Sequence, residues 1–463
     1  MTHTYPHTGY YDIIHNCIIS ISHSSTSACI HHRTQHLISG FLVARFHVFS
    51  LLFLSTDDTT SSMAIRRTLW KAFTAAIATT TPSPPPLLRG QEIQLSCSDG
   101  TKLAAQFFSS RDSTNASSSA ATNPRTVVCL HGWMDNCRSF HYLAPYLAAK
   151  DDRFQVVALD LPGHGRSSHK SLDAPPVVMA EMAYYVSEAM DSLQREGYHS
   201  TTATTKMTLV GHSLGAGIAS LVAASCPEQV DQLVLLDGIG GFLPREAKDT
   251  ALHVRNHIKR RKMALAKQQK KQNEQDESSS STRRGYPSLQ AAIERRLQSV
   301  KSMPGNQTLS YEAAKQIVLR GTHLDLLDDH DDDDDDGSMD ENDNGGLIQF
   351  RHDPRFAWPS IQYMTQAQNE GIYQTLREGV EGNRVDCCVL LAKDGWPFQN
   401  DILERARSLL QPRVCHILPG SHFFHSDPET SEEVATAVLE FISNPLAAVE
   451  DESSSNHPTS LTS

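Results

Sequence analysis

The stretch "MTLVGHSLGAG", residues 207–217, decides how this chain reads. It begins as an apolar and β-branched run, the composition of a buried strand. It then places Gly211, Ser213, Gly215, Ala216 and Gly217 where such a strand would simply continue. A strand, then G-x-S-x-G, then a helix is the pattern of a nucleophile elbow. The serine occupies a sharp, strained turn, and small residues two before and two after it avoid the neighbouring backbone. Gly211 and Gly215 fill those two places, while Ala216 and Gly217 let the following helix approach the sheet closely.

Outward from the elbow, the chain alternates strands and helices from about residue 90. "EIQLSCSDGTKLAAQFF" (92–108) predicts two strands around the turn pair Asp99–Gly100. "RTVVCLHG" (125–132), "FQVVALDLPGHG" (154–165), "KMTLVGHS" (206–213) and "VDQLVLLDG" (230–238) are short, continuously apolar runs, as strands buried on both faces of a parallel sheet require. Helical stretches at 177–194 and 215–229 separate the later ones, giving β-α-β order. The rhythm resumes at "RVDCCVLLAKDG" (384–395) and "RVCHILPGSH" (413–422) and closes on the helix "TSEEVATAVLEFISN" (430–444). Between Gly241 and about Gly382 it is lost. That insert reads as helical and polar, with a basic run from Arg255 to Lys271, a Ser-rich joint at 278–282 and an acidic run. Inserts of this size belong on the binding face of a sheet, as a lid or cap.

A serine hydroxyl is a poor nucleophile until an imidazole takes its proton, and that imidazole needs a carboxylate to fix its tautomer. In chain order Ser, acid, His, the sequence supplies Ser213, Asp394 after "CCVLLAK" and His422 after "VCHILPGS". All three fall just beyond strand C-termini, the edge where parallel α/β sheets bind ligands. Asp237, which ends "LVLLD", is the substitute acid. The developing oxyanion needs two backbone N–H donors, expected from Leu214 and from Trp133 in the loop after "TVVCLHG". His131, Gly132 and His212 flank these groups, and the two histidines are expected to hydrogen-bond rather than transfer protons. Asp160 is expected to shape its loop through side chain–backbone bonds. His425 reads as a packing or hydrogen-bonding residue beside the base.

"HGWMDNCRSF", "LDLPGHGRSS", "VGHSLGAG", "LLDG" and "PGSHFFHSDPE" together resemble the α/β-hydrolase superfamily, and "HGWMDN" with "AKDGWPF" resembles its serine hydrolase-like protein branch. The resemblance covers about 90–245 and 384–445. It implies an α/β-hydrolase fold: a mostly parallel eight-stranded sheet flanked by helices, with a large helical cap insertion. It also implies hydrolysis of a carboxylic ester or related small-molecule acyl substrate with neither metal nor cofactor. The family's nucleophile falls on Ser213 and its base on His422. The family's acid often follows a glycine three positions earlier, where this chain has Leu391. Acyl transfer, thioester cleavage and carbon–carbon bond hydrolysis use the same three groups. A binding protein that kept the fold is the non-enzymatic alternative.

Composition bounds the rest. The formal charge of −12 equals the eleven Asp and one Glu between residues 325 and 343, a stretch without Lys or Arg. The remainder is near neutral, which gives no electrostatic reason to expect nucleic acid. Nine scattered cysteines without C-x-x-C suit a reducing compartment. Eight of the 23 histidines precede residue 48 and no H-E-x-x-H appears, so no metal is expected. The stretch 37–54 is apolar but broken by Arg45 and His47, and no integral membrane span is expected. From Met63 to about residue 82 the chain is basic, acid-free and rich in Ala and Thr, which points to a mitochondrial or plastid leader, with cytoplasm as the alternative. The expected organisation is an N-terminal extension over 1–88, core over 89–241, cap over 242–383, core over 384–446 and a tail over 447–463.

Overall fold

The computed structural model describes residues 88–110, 124–171, 174, 177–199, 206–239, 247–275, 285–305, 307–325, 346–357, 364–380 and 383–445. The apolar stretch 37–54, the leader from Met63, the Ser-rich joint, nearly all of the acidic run and the tail from 447 lie outside the described residues.

Strands β1 (Gln91–Ser96) and β2 (Lys102–Phe108) form a hairpin, its turn carried by Gly100 at φ 86° and by Asp99 Oδ1 accepting from the Thr101 N–H at 2.9 Å. Four buried strands follow: β3 (Arg125–Leu130), β4 (Phe154–Leu159), β5 (Met207–His212) and β6 (Val230–Leu236). A separate antiparallel pair, β7 (Thr322–Asp325) and β8 (Leu347–Phe350), precedes β9 (Asp386–Asp394) and β10 (Val414–Ser421). The eight-stranded sheet runs β1-β2-β4-β3-β5-β6-β9-β10, antiparallel at β1–β2 and β2–β4 and parallel elsewhere.

The central parallel strands are mostly apolar because both faces are covered, whereas β10 at the edge of the sheet is largely half-buried or exposed. Helices α1 (Leu143–Lys150) and α9 (Ser431–Ser443) lay Leu143, Leu147, Val434, Val438 and Phe441 on one face. The other face receives α2 (Met179–Arg195), α3 (Leu214–Ser225), α7 (Gln366–Glu378) and α8 (Gln399–Arg405). Each fully buried Leu, Val or Phe in these layers contributes about 1.5–3 kcal/mol.

Between β6 and β9 lie α4 (Thr250–Gln275), α5 (Leu289–Lys301), α6 (Tyr311–Gly321), the β7–β8 pair and α7. Ser288 and Ser310 cap α5 and α6 by accepting from the Ala291 and Ala313 N–H groups. Ile293, Val300, Ile317 and Val318 make a small core that also takes in Phe423 from the loop after β10. The expectation of a purely helical insert is corrected: the β7–β8 pair brackets the acidic run, each strand only four residues long. Four residues are too few to show an alternating pattern. The insert is fastened to the sheet through a buried Arg320–Asp160 pair, a second ion pair to the exposed Glu92 and a buried hydrogen bond. Arg320 on α6 donates Nε to Asp160 Oδ2 at 2.8 Å and Nη1 to both Glu92 carboxylate oxygens, and Asn136 Nδ2 donates to the Ile317 carbonyl. Removing one partner of such a buried pair costs about 3–5 kcal/mol, because the other charge is left uncompensated.

Candidate active site

Ser213 stands between β5 and α3 with φ 52° and ψ −111°, a left-handed conformation that a β-substituted residue adopts only where its surroundings hold it. The two glycines make the turn possible. A Cβ at Gly211 would run into the Gly215 carbonyl oxygen, and one at Gly215 would run into the Leu130 carbonyl. Gly215 therefore lets the first turn of α3 sit directly against the end of β3. The Leu214 N–H is one of the donors that a helix N-terminus leaves without an intrahelical acceptor. The loop that carries Trp133 begins where β3 meets this turn. Its Gly132 carbonyl accepts from the Asp135 N–H, Met134 adopts φ 58°, and the Trp133 ring packs at 5.0 Å on Phe356 of the insert.

His422 lies buried in the loop after β10, and its Nδ1 is 2.5 Å from Oδ2 of Asp237. The expectation that His422 meets Asp394 is corrected: the carboxylate at its Nδ1 is that of Asp237, the substitute acid. Two features explain this. Strand β6 is adjacent to β5, so its end reaches the elbow before that of β9 does. Asp237 also turns out of the strand at φ 47°, and its Oδ1 is then held by the Ala392 N–H at 2.9 Å and Gln399 Nε2 at 2.7 Å. Asp394 lies two residues beyond Ala392, at the exposed end of β9. Because Nδ1 donates to a carboxylate, the basic lone pair of a neutral His422 is on Nε2.

The elbow and His422 are tied together through the residue before the serine. His212 Nε2 donates to the His422 carbonyl at 2.9 Å, and its ring lies between those of His422 (4.6 Å) and His425 (4.0 Å). Burial pushes the His425 imidazole down to about 3 and His212 well below the usual range, so both are neutral hydrogen-bonding and packing groups. His131 is buried too and pushed down to about 4. It donates Nδ1–H to the Gly132 carbonyl and accepts the Leu161 N–H on Nε2, which shapes the turn before Trp133. Asp160 accepts from the Cys137 and Arg166 N–H groups at 2.8 Å each. Burial raises the Asp135 carboxyl, opposed by the buried Arg296 of α5 paired with it. Among the described residues no group of three or more His, Cys, Asp or Glu is placed to hold a metal ion, and no helix is long and apolar enough to cross a membrane.

Three residues at this site escaped the sequence reading. Gln399 holds the free oxygen of Asp237, Gln307 from the insert reaches the His422 backbone, and the Trp396 ring packs at 4.4 Å on His422. Trp396 lies in the "AKDGWPF" stretch and was within reach. The two glutamines belong to no pattern that marks them.

Residues 125–429 match a family model described as alpha/beta hydrolase fold. A serine hydrolase-like protein of Dictyostelium discoideum is 26% identical over 366 residues, which span 76% of this chain and 82% of that protein. A serine hydrolase-like protein of Danio rerio is 38% identical over 137 residues, which span 29% of this chain and 37% of that one. The crystal structure of a hypothetical protein from Pseudomonas aeruginosa aligns with a TM-score of 0.55 at 26% identity, covering 76% of this chain and all of that one.

Proposed function

We propose, from the premise that the chain belongs to the α/β-hydrolase fold family, that it is a serine hydrolase cleaving a carboxylic ester or related acyl substrate through Ser213, His422 and Asp237. The observation that carries this reading is the buried 2.5 Å contact between His422 Nδ1 and Asp237, anchored by His212 to the strained turn that holds Ser213.

His422 Nε2 takes the proton of Ser213 Oγ as that oxygen attacks the substrate carbonyl carbon. Asp237 fixes the tautomer and offsets the charge of the imidazolium that forms. The carbonyl oxygen becomes an oxyanion that receives the N–H groups of Leu214 and Trp133. The imidazolium then protonates the leaving alkoxide as the carbon–oxygen bond breaks. This leaves an acyl-enzyme, which water opens by the same steps with His422 again acting as base. The insert acts as a cap over the C-terminal edge of the sheet, and its Phe356 against Trp133 gives the acyl side an aromatic wall.

A fluorophosphonate probe tests the reading on the full chain. The wild type is expected to be labelled, and Ser213→Ala to abolish labelling while keeping the wild-type melting temperature. A folded wild type that stays unlabelled and hydrolyses no ester or thioester in a panel of acyl lengths would sink the enzyme reading and favour a binding protein.

A further inference from the structure

We propose that Gln307, a residue of the insert, is a positioning residue for the base: its side-chain amide sets where His422 sits. The inference rests on the hydrolase reading above and adds a second function to the insert. Gln307 is 1% exposed, so it does not line a surface that substrate touches.

The argument starts from the amide itself. Gln307 Oε1 accepts the His422 backbone N–H at 2.8 Å. Its Nε2 donates to the Gly395 carbonyl at 2.7 Å and lies 2.9–3.0 Å from the carbonyls of Gly305 and Pro304. The orientation is dictated by its partners, because a backbone N–H can only meet the oxygen and the three carbonyls can only meet the nitrogen. One side chain thus joins three segments: its own turn in the insert, the peptide of the base, and the loop after β9. That loop is the one that abuts the acid, since a Cβ at Gly395 would lie 2.8 Å from both carboxylate oxygens of Asp237.

The neighbouring bonds run the same way. Ser421 Oγ donates to the Thr308 carbonyl at 2.6 Å, and the Ser310 N–H donates to Asp427 Oδ1 at 2.7 Å. Phe423 is buried in the core of α5 and α6, with the Arg296 guanidinium 5.3 Å from its ring. The loop from Ser421 to Asp427 is therefore gripped from the insert, and Gln307 is the member of that grip that touches His422. Among the described residues of the sheet, the His422 backbone is held only by its carbonyl, through His212. Without Gln307 the N–H side of that peptide is left unpaired and buried, and the ring can swing away from the line between Asp237 and Ser213. A misplacement of about 1 Å in such a constellation costs on the order of 100-fold in rate.

The test compares Gln307→Met, which keeps the volume and loses every bond, with Gln307→Glu, which keeps the oxygen facing His422. With p-nitrophenyl butyrate as substrate, Gln307→Met is expected to lower kcat by about 10- to 100-fold, with KM changed by less than about threefold. Gln307→Glu is expected to recover part of that loss. Hydrogen exchange on the wild-type full chain gives an independent readout, the His422 amide being slowed by at least about 100-fold. Equal kcat in wild type and both variants overturns the inference, as does an equal loss in the two variants or a fast-exchanging His422 amide. If both variants unfold, Gln307 holds the fold rather than the base, which also overturns it. Failure of the hydrolase reading looks different, since the wild type itself would then neither turn over the ester nor take the fluorophosphonate.

Discussion

Two strands of the sheet, β6 and β9, end in an aspartate at the same edge, and the two aspartates have opposite surroundings. Asp237 is buried, left-handed at φ 47°, and receives hydrogen bonds from Ala392, Gln399 and His422. Asp394 is exposed, and its carboxylate has no hydrogen-bond partner among the described residues. Reaching that edge of the sheet is therefore not enough to place a carboxylate at His422. What separates the two is a backbone turn that swings Asp237 across the end of β9, into a dry site that supplies donors.

The contrast is broken most directly by removing one negative charge at a time. Asp237→Asn is expected to lower kcat by about 10⁴-fold, the loss that follows when a triad histidine is left with the wrong tautomer. Steady-state ester hydrolysis measures it, and a loss below about tenfold would return the role to Asp394.

Dryness around the base has its own signature. His425 and His131 are held down to about 3 and about 4 by burial, whereas an unfolded histidine titrates near 6.5. The unfolded chain takes up protons that the folded chain refuses. The stability present above about pH 6.5 is thus lost as the pH falls toward 4, by on the order of 3 kcal/mol for each ring. Thermal melts from about pH 7 down to about pH 4 should show this slope. His425→Phe should flatten it, since the aromatic stack on Phe140 and His212 survives while one titrating group is gone.

A smaller effect is expected from the donor that distinguishes the two sites. Gln399→Leu leaves Asp237 Oδ1 with the Ala392 N–H alone, which should cost about 1–2 kcal/mol of stability and about tenfold in kcat. Smallest of all is Asp394→Asn. Both kcat and melting temperature should stay close to wild type, with stability changed by less than about 0.5 kcal/mol.

The sheet and the strained turn around Ser213 were legible in the sequence because each imposes residue types at fixed offsets. Gly211 and Gly215 cannot carry a Cβ without striking backbone, so the turn around Ser213 writes itself into the chain. The buried parallel strands are mostly apolar rather than alternating, so they stand out as runs. The carboxylate that meets His422 was not legible in the same way. Asp237 and Asp394 both follow an apolar strand and both obey the order Ser, acid, His. What decides between them is a left-handed turn at residue 237 and a glutamine 162 positions later. Gln307 was invisible for a related reason: a side-chain amide that accepts one backbone N–H leaves no period and no composition. The β7–β8 pair escaped because its pairing spans the acidic run, and nothing local announces a partner that far along the chain.

The long insert between β6 and β9 also has a consequence in time. Ser213 and His422 are 209 residues apart in sequence. At a synthesis rate of about 5–20 residues per second, Ser213 leaves the ribosome roughly 10–40 s before His422. Through that interval the nascent chain carries a hydroxyl with no base. On the proposed reading the site is assembled only once His422 has been made, and a truncated product that ends within the insert would be chemically silent.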